Sequence, residues 1–142
     1  MKQAHALGIM AAGHSVFLTG PAGSGKTYVL NRFVEHARRQ GKKVAVTAST
    51  GLAATHLGGS TIHSWAGIGI HDELKSRQIG EMSKSRREQI NKAHILIIDE
   101  VSMLHDFRLD MVDQVCRRVR ETDAPFGGLQ VILCGDFFQL PP

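Results

Sequence analysis

The chain has 142 residues and a mass of 15.5 kDa, the length of one domain. Hydrophobic residues make up 42% and charged residues 21%, and no apolar run approaches the ~18 residues of a membrane span, which excludes a disordered tail and an integral membrane protein. The net charge of +4 fits a phosphate-bearing partner and equally a solvated basic surface.

At the N-terminus, the first fifteen residues lack the charged start, apolar core and small-residue cleavage site of a secretory leader, which predicts an intracellular chain. Val16 to Thr19 reads as a short strand ending at Gly20. Apolar residues at Val29, Leu30, Phe33, Val34 and Ala37 then follow helical spacing up to Gly41, a C-cap candidate. Val44 to Thr47 is a second strand, and a glycine-rich interval from Gly58 to Gly69 breaks the chain. His71 to Lys92 is polar and predicts a surface helix. The apolar run Ile95 to Ile98 predicts a strand buried on both faces of a parallel sheet. Leu109, Val112, Val115, Cys116 and Val119 give another amphipathic helix, Pro125 to Gly128 ends its connection, and Leu129 to Cys134 is the fourth visible strand. Alternating strands and helices predict an α/β domain with a mainly parallel sheet. The two cysteines, Cys116 and Cys134, sit singly inside apolar runs and read as buried reduced thiols. Cations cluster at Arg32, Arg38, Arg39, Lys42 and Lys43 and again at Arg117, Arg118 and Arg120, at predicted helix ends where the dipole also favours them.

The sharpest chemical feature is Gly20-Pro21-Ala22-Gly23-Ser24-Gly25-Lys26-Thr27, a phosphate-binding loop placed between the first strand and the first helix. Its glycines let backbone N–H groups turn onto phosphate oxygens, Lys26 supplies a cation to the outer phosphates, and Thr27 offers a hydroxyl to Mg²⁺. ATP with Mg²⁺ is therefore the predicted ligand. Asp99 and Glu100 follow a buried strand, at the end where open parallel sheets bind ligands. Asp99 suits Mg²⁺ held through water, and Glu100 suits polarising an attacking water. Gln139, in the segment Gly135 to Pro142, is a candidate for contact with the γ-phosphate. Thr47, Ser49, Thr50 and Gly51 form a small hydroxyl-rich loop that suits a close phosphate chain or is simply a polar loop. Thr61, His63 and Trp65 lie in the glycine-rich interval, where Trp65 either stacks on a base or belongs to the core. The histidines lack metal-ligand spacing, so no protein-ligated metal site is assigned.

The order of the segments Gly20 to Thr27, Thr47 to Ala54, Ile97 to Met103 and Gly135 to Pro142 resembles motifs I, Ia, II and III of the petite-integration-frequency (Pif) helicases of superfamily 1B. Thr61-Ile62-His63-Ser64-Trp65-Ala66-Gly67, Asp99-Glu100-Val101-Ser102-Met103 and Pro125-Phe126-Gly127-Gly128 resemble further signatures of that family. Gln3, 17 residues before Gly20, is similar to the family's Q-motif glutamine, which implies a contact with the adenine edge. The resemblance implies one RecA-like lobe, 5′-to-3′ ATP-driven movement on single-stranded DNA, unwinding of duplex junctions, and roles in DNA repair and recombination. It also implies a second RecA-like lobe carrying arginine fingers, so residues 1–142 read as a first-lobe fragment. For such a helicase the expected compartment is cytoplasmic in a bacterium and nuclear or mitochondrial in a eukaryote, with no membrane partner. Two other readings are a P-loop phosphotransferase and a nucleotide-binding switch without useful turnover. Glu100 and the Gln139 loop favour the helicase over the phosphotransferase.

Overall fold

A computed structural model describes residues 3–20, 25–68 and 82–135. Of the predicted site residues, Pro21, Ala22, Gly23, Ser24 and Gln139 lie outside the described residues, as does part of the predicted surface helix. In chain order the elements are α1 (Gln3–Ala11), β1 (Val16–Thr19), α2 (Lys26–Arg39), β2 (Val44–Ala48), α3 (Gly51–Leu57), β3 (Ser60–Thr61), α4 (Ile62–Ala66), α5 (Lys84–Lys92), β4 (Ile95–Asp99), a 3-10 turn (Val101–Met103), α6 (Asp106–Val119), a second 3-10 turn (Pro125–Gly128) and β5 (Gln130–Gly135).

The sheet is five-stranded, ordered β1-β5-β4-β2-β3, with every pairing parallel. β4 lies at its centre, as its unbroken apolar run predicts. Side chains alternate across the sheet, so Leu96, Ile98 and Val131 pack under α4, α5 and α6, while Ile95, Ile97, Ile132 and Cys134 pack under α1 and α2. Ile95, Ile97 and Ile98 are each at most 1% exposed, and full burial of one such side chain contributes about 1.5 to 3 kcal/mol. Helix α2 turns Val29, Leu30, Phe33 and Ala37 inward, four of the five positions that define its predicted apolar stripe.

The glycine-rich interval is more ordered than its composition suggests. Thr50 caps α3 by accepting the Ala53 N–H at 3.2 Å, and Thr61 caps α4 by accepting the Ser64 N–H at 3.2 Å. Gly58 and Gly67 close those helices in the left-handed conformation. Between them β3 adds a fifth strand. A Cβ on Gly59 would lie 2.0 Å from the Val46 carbonyl oxygen, so only glycine lets the chain pass that close to β2.

Candidate functional site

Because all five strands are parallel, their C-terminal ends share one edge. Register places Thr19 opposite Gly135, Asp99 opposite Ala48, and Ala48 opposite Thr61. Gly20 follows β1, Asp99 and Glu100 end β4, Ser49 and Thr50 follow β2, and Thr61 ends β3. The strand order thus sorts the predicted residues: Gly20, Gly25, Lys26 and Thr27 stand at the β1 side, the hydroxyl-rich loops at the β2 and β3 side, and Asp99 with Glu100 between them.

At the β1 side, α2 begins at Lys26, directly after Gly25, whose φ of 89° is accessible to glycine at little cost. The Lys26 ammonium donates to the Gly20 carbonyl, which draws the two ends of the loop together. Gln3 lies against the same point, its Nε2 occupying the place a Cβ on Gly25 would need. A hollow of about 210 Å³ between α1 and α2 is lined by Gln3, Ala4, Leu7, Tyr28, Val29 and Arg32. Tyr28 is 55% exposed, with the Arg32 guanidinium 5.7 Å from its ring centre and hydrogen-bonded to its hydroxyl at 3.1 Å. Sequence reasoning did not single out Tyr28. Its signal is position, one residue beyond the loop threonine on the helix that the loop opens.

Asp99 is half-buried. Its Oδ1 accepts the Glu100 N–H at 2.8 Å, and the thiol of Cys134 on neighbouring β5 donates to its carboxylate. Burial first, then the Asp99 charge, pushes the Cys134 thiol up to about 12, with Lys26 opposing. The Thr27 hydroxyl and the Asp99 carboxylate are hard oxygen donors, the kind a magnesium ion takes from protein alongside phosphate oxygens and water. Glu100 adopts φ 53° and ψ 43°, a left-handed conformation that costs a non-glycine residue about 1 to 3 kcal/mol. Its own N–H to Asp99, the Ser49 hydroxyl donating to its carbonyl at 2.8 Å and the Met103 N–H donating to the same carbonyl at 3.0 Å fix it there.

At the β2 side, Ser49, Thr50, Gly51, Thr61 and His63 are all partly or fully exposed near the edge. Two predicted nucleic-acid contacts do not join them. Thr47 is 0% exposed and donates its hydroxyl to the Ile97 carbonyl at 2.7 Å, so its polar group is consumed within the sheet. Trp65, on α4, is 6% exposed and packs in the core with residues of α5 and α6, which leaves little of its ring open to a base. His63 is held below its ordinary pKa, by burial first and then by the Arg108 charge, so it is a neutral hydrogen-bonding group at neutral pH and not a cation.

Parts of the family signatures are structural. Asp113 on α6 accepts the Phe126 N–H at 2.6 Å and the Arg117 Nε–H at 2.9 Å. Arg120 donates to the carbonyls of Gly127, Ile90, Asn91 and Ala93. With Arg39 paired to Glu35, several of the clustered cations are engaged within the fold.

A parallel sheet with a phosphate loop after its first strand and an acidic pair ending its central strand defines a RecA-like nucleotide-binding lobe. Residues 2–142 match the PIF1-like helicase family, and the chain belongs to it, as its N-terminal RecA-like lobe. It is 54% identical over 144 residues to the ATP-dependent DNA helicase Pif1 of Psychrobacter sp. strain PRwf-1, covering 100% of this chain and 22% of that protein. The crystal structure of Pif1 helicase from Candida albicans superposes with a TM-score of 0.93 at 40% identity, over 99% of this chain and 33% of the other. Pif1 helicase from Bacteroides in complex with ADP-AlF3 and ssDNA gives a TM-score of 0.83 at 40% identity, over 100% of this chain and 34% of the other. The chain therefore spans a fifth to a third of these relatives. Among the described residues, no helix is long and apolar enough to cross a membrane.

Proposed function

We propose that these residues form the ATP-hydrolysing motor lobe of a 5′-to-3′ DNA helicase that acts on single-stranded DNA and duplex junctions in genome maintenance. The observation that carries the reading is the sheet edge, where Glu100 stands between the phosphate-loop residues and the Ser49–Thr50 loop and is bonded to the latter.

In this reading Gly20, Gly25 and Lys26, with Pro21, Ala22, Gly23 and Ser24 of the same loop, hold the phosphates of ATP, and the base enters the hollow between Gln3 and Tyr28. Thr27, and Asp99 through water, would hold Mg²⁺, which when bound would offset phosphate charge. Glu100 orients a water molecule and accepts its proton as the water oxygen attacks the γ-phosphorus and the bond to the bridging oxygen of ADP breaks. Gln139 follows the γ-phosphate. Thr50, Gly51, Thr61 and His63 offer hydroxyl, backbone and imidazole donors to the DNA backbone, and Ser49, whose N–H and hydroxyl proton go to Asp99 and Glu100, fixes the loop that presents them; such contacts position a strand without reading its sequence.

The test is Glu100→Gln in the full-length gene product. An amide keeps the shape of the carboxylate but cannot take a proton, so nucleotide affinity is expected to persist while DNA-stimulated turnover falls by on the order of 10²-fold or more. Hydrolysis at the parent rate would remove Glu100 from the role of base.

A further inference from the structure

Three hydrogen bonds tie the loop after β2 to the end of β4. The Ser49 N–H donates to the Asp99 carbonyl at 3.1 Å, the Ser49 hydroxyl donates to the Glu100 carbonyl at 2.8 Å, and the Thr50 hydroxyl meets Glu100 Oε2 at 3.4 Å. The first two fix backbone. The third holds the carboxylate itself.

The Thr50 hydroxyl is used on both sides. Its oxygen already accepts the Ala53 N–H as the cap of α3, and its single proton is what it can offer Glu100. At 3.4 Å that bond is longer than the usual 2.7 to 2.8 Å between oxygens, and it lies at an exposed site where other acceptors compete. The Glu100 backbone, by contrast, is pinned at its N–H and at its carbonyl. A weak side-chain bond on a rigid backbone lets the carboxylate move while the peptide stays.

We propose that Thr50 is a positioning residue that holds the Glu100 carboxylate on the β2 side of the edge until single-stranded DNA occupies the Ser49–Gly51 loop, so that nucleic-acid binding releases the base for hydrolysis. This rests on the reading of that loop as the DNA surface and of Glu100 as the base. A DNA phosphate at the loop competes for the Thr50 proton. As an anion it also repels the carboxylate, toward the side of the sheet where Lys26 and Thr27 stand. Thr50 thereby acts through Glu100, and the signal passes between adjacent strands with no movement of the sheet.

The experiment is steady-state ATPase of the full-length gene product, with and without saturating oligo-dT, for the parent and Thr50→Val. Valine keeps the β-branched shape and removes the hydroxyl. The DNA-free kcat is expected to rise roughly fivefold, the size of one net hydrogen bond, with KM for ATP unchanged and the DNA stimulation ratio lowered to match. An unchanged ratio, or equal loss of rate with and without DNA, overturns the inference. Valine also removes the α3 cap, so Thr50→Asp is the second variant. Its carboxylate still accepts the Ala53 N–H but offers no proton to Glu100, and a DNA-free rate that does not rise in it again overturns the inference. Absence of DNA stimulation in the parent overturns the DNA reading itself, and is told apart because it needs no variant.

Discussion

Cys134 touches the candidate site, yet its environment makes it a hydrogen-bond donor and not a nucleophile. Burial pushes both Cys116 and Cys134 up to about 12 from an ordinary value of 9.0, with Asp99 adding to the effect at Cys134 and Arg120 opposing it at Cys116. A three-unit rise leaves on the order of 10³-fold less thiolate at pH 8 than a free thiol, so an aromatic disulfide reagent is expected to label the native protein slowly and the urea-unfolded protein at once. Labelling of both thiols in the native state at the free-cysteine rate would contradict this. The sign for stability follows from the same shift: between pH 9 and about 12 the native state binds more protons than the unfolded chain, so stability declines as pH rises through that window. Burial of these thiols is legible in the sequence because each interrupts an apolar run. For Trp65 the core is one of the two readings the sequence leaves open, and the burial of Thr47 is not legible. Thr47 looks like its neighbours Ser49 and Thr50, and only the pairing of β2 with β4 turns its hydroxyl onto the Ile97 carbonyl.

Arg120 shows how a single side chain joins elements. Its guanidinium sits beyond the last turn of α5, taking the carbonyls of Ile90, Asn91 and Ala93 at 3.1, 3.1 and 2.9 Å, and its Nε donates to Gly127 at 2.7 Å in the second 3-10 turn. Last-turn carbonyls lack helical partners; Nη1 shares its two protons among these three while Nε–H reaches Gly127, and the rigid plane of the guanidinium fork holds the two donors in separate directions where a lysine ammonium at the end of a flexible stem does not. Arg120→Lys is therefore expected to destabilise the lobe by about 2 to 3 kcal/mol, lowering Tm by roughly 10 °C in a thermal melt. A fall below about 2 °C would show that the fork carries little. In the sequence Arg120 is one of three cations near a helix end, and nothing there separates it from Arg117 or Arg118. The same scale explains which elements sequence reading finds. The long helices α2 and α6 repeat an apolar stripe for 14 residues each, whereas α3 and α4 span 7 and 5 residues, too few for periodicity to register. Their only local signals are the threonine at one end and the glycine at the other. Helix α1 buries just Ala6 and Met10, and its apolar residues mark no single face.

For the whole molecule, strand order is the information the sequence withholds. Each motif announces a strand end, but only the order β1-β5-β4-β2-β3 puts the acidic pair between the nucleotide side and the loop side. Under the proposed function that arrangement makes the lobe one half of a hydrolytic site. In the proposed reading the cations facing the phosphates from this side would be Lys26 and Mg²⁺, while the developing charge on the γ-phosphoryl group in the transition state calls for more. An arginine finger commonly supplies the difference, worth about 10³ to 10⁵ in rate. By resemblance those arginines belong to a second lobe, and translocation needs two lobes that close and open around ATP. The 142 residues alone are thus expected to bind nucleotide, hydrolyse it poorly and separate no strands. Calorimetry with a non-hydrolysable ATP analogue measures the first part, and Lys26→Ala is expected to weaken binding more than tenfold, as loss of a charge-assisted contact requires. Turnover and strand displacement measured beside the full-length gene product test the rest. If residues 1–142 alone match its DNA-stimulated rate, the half-site argument is wrong, and self-association donating an arginine from a second copy becomes the explanation to pursue.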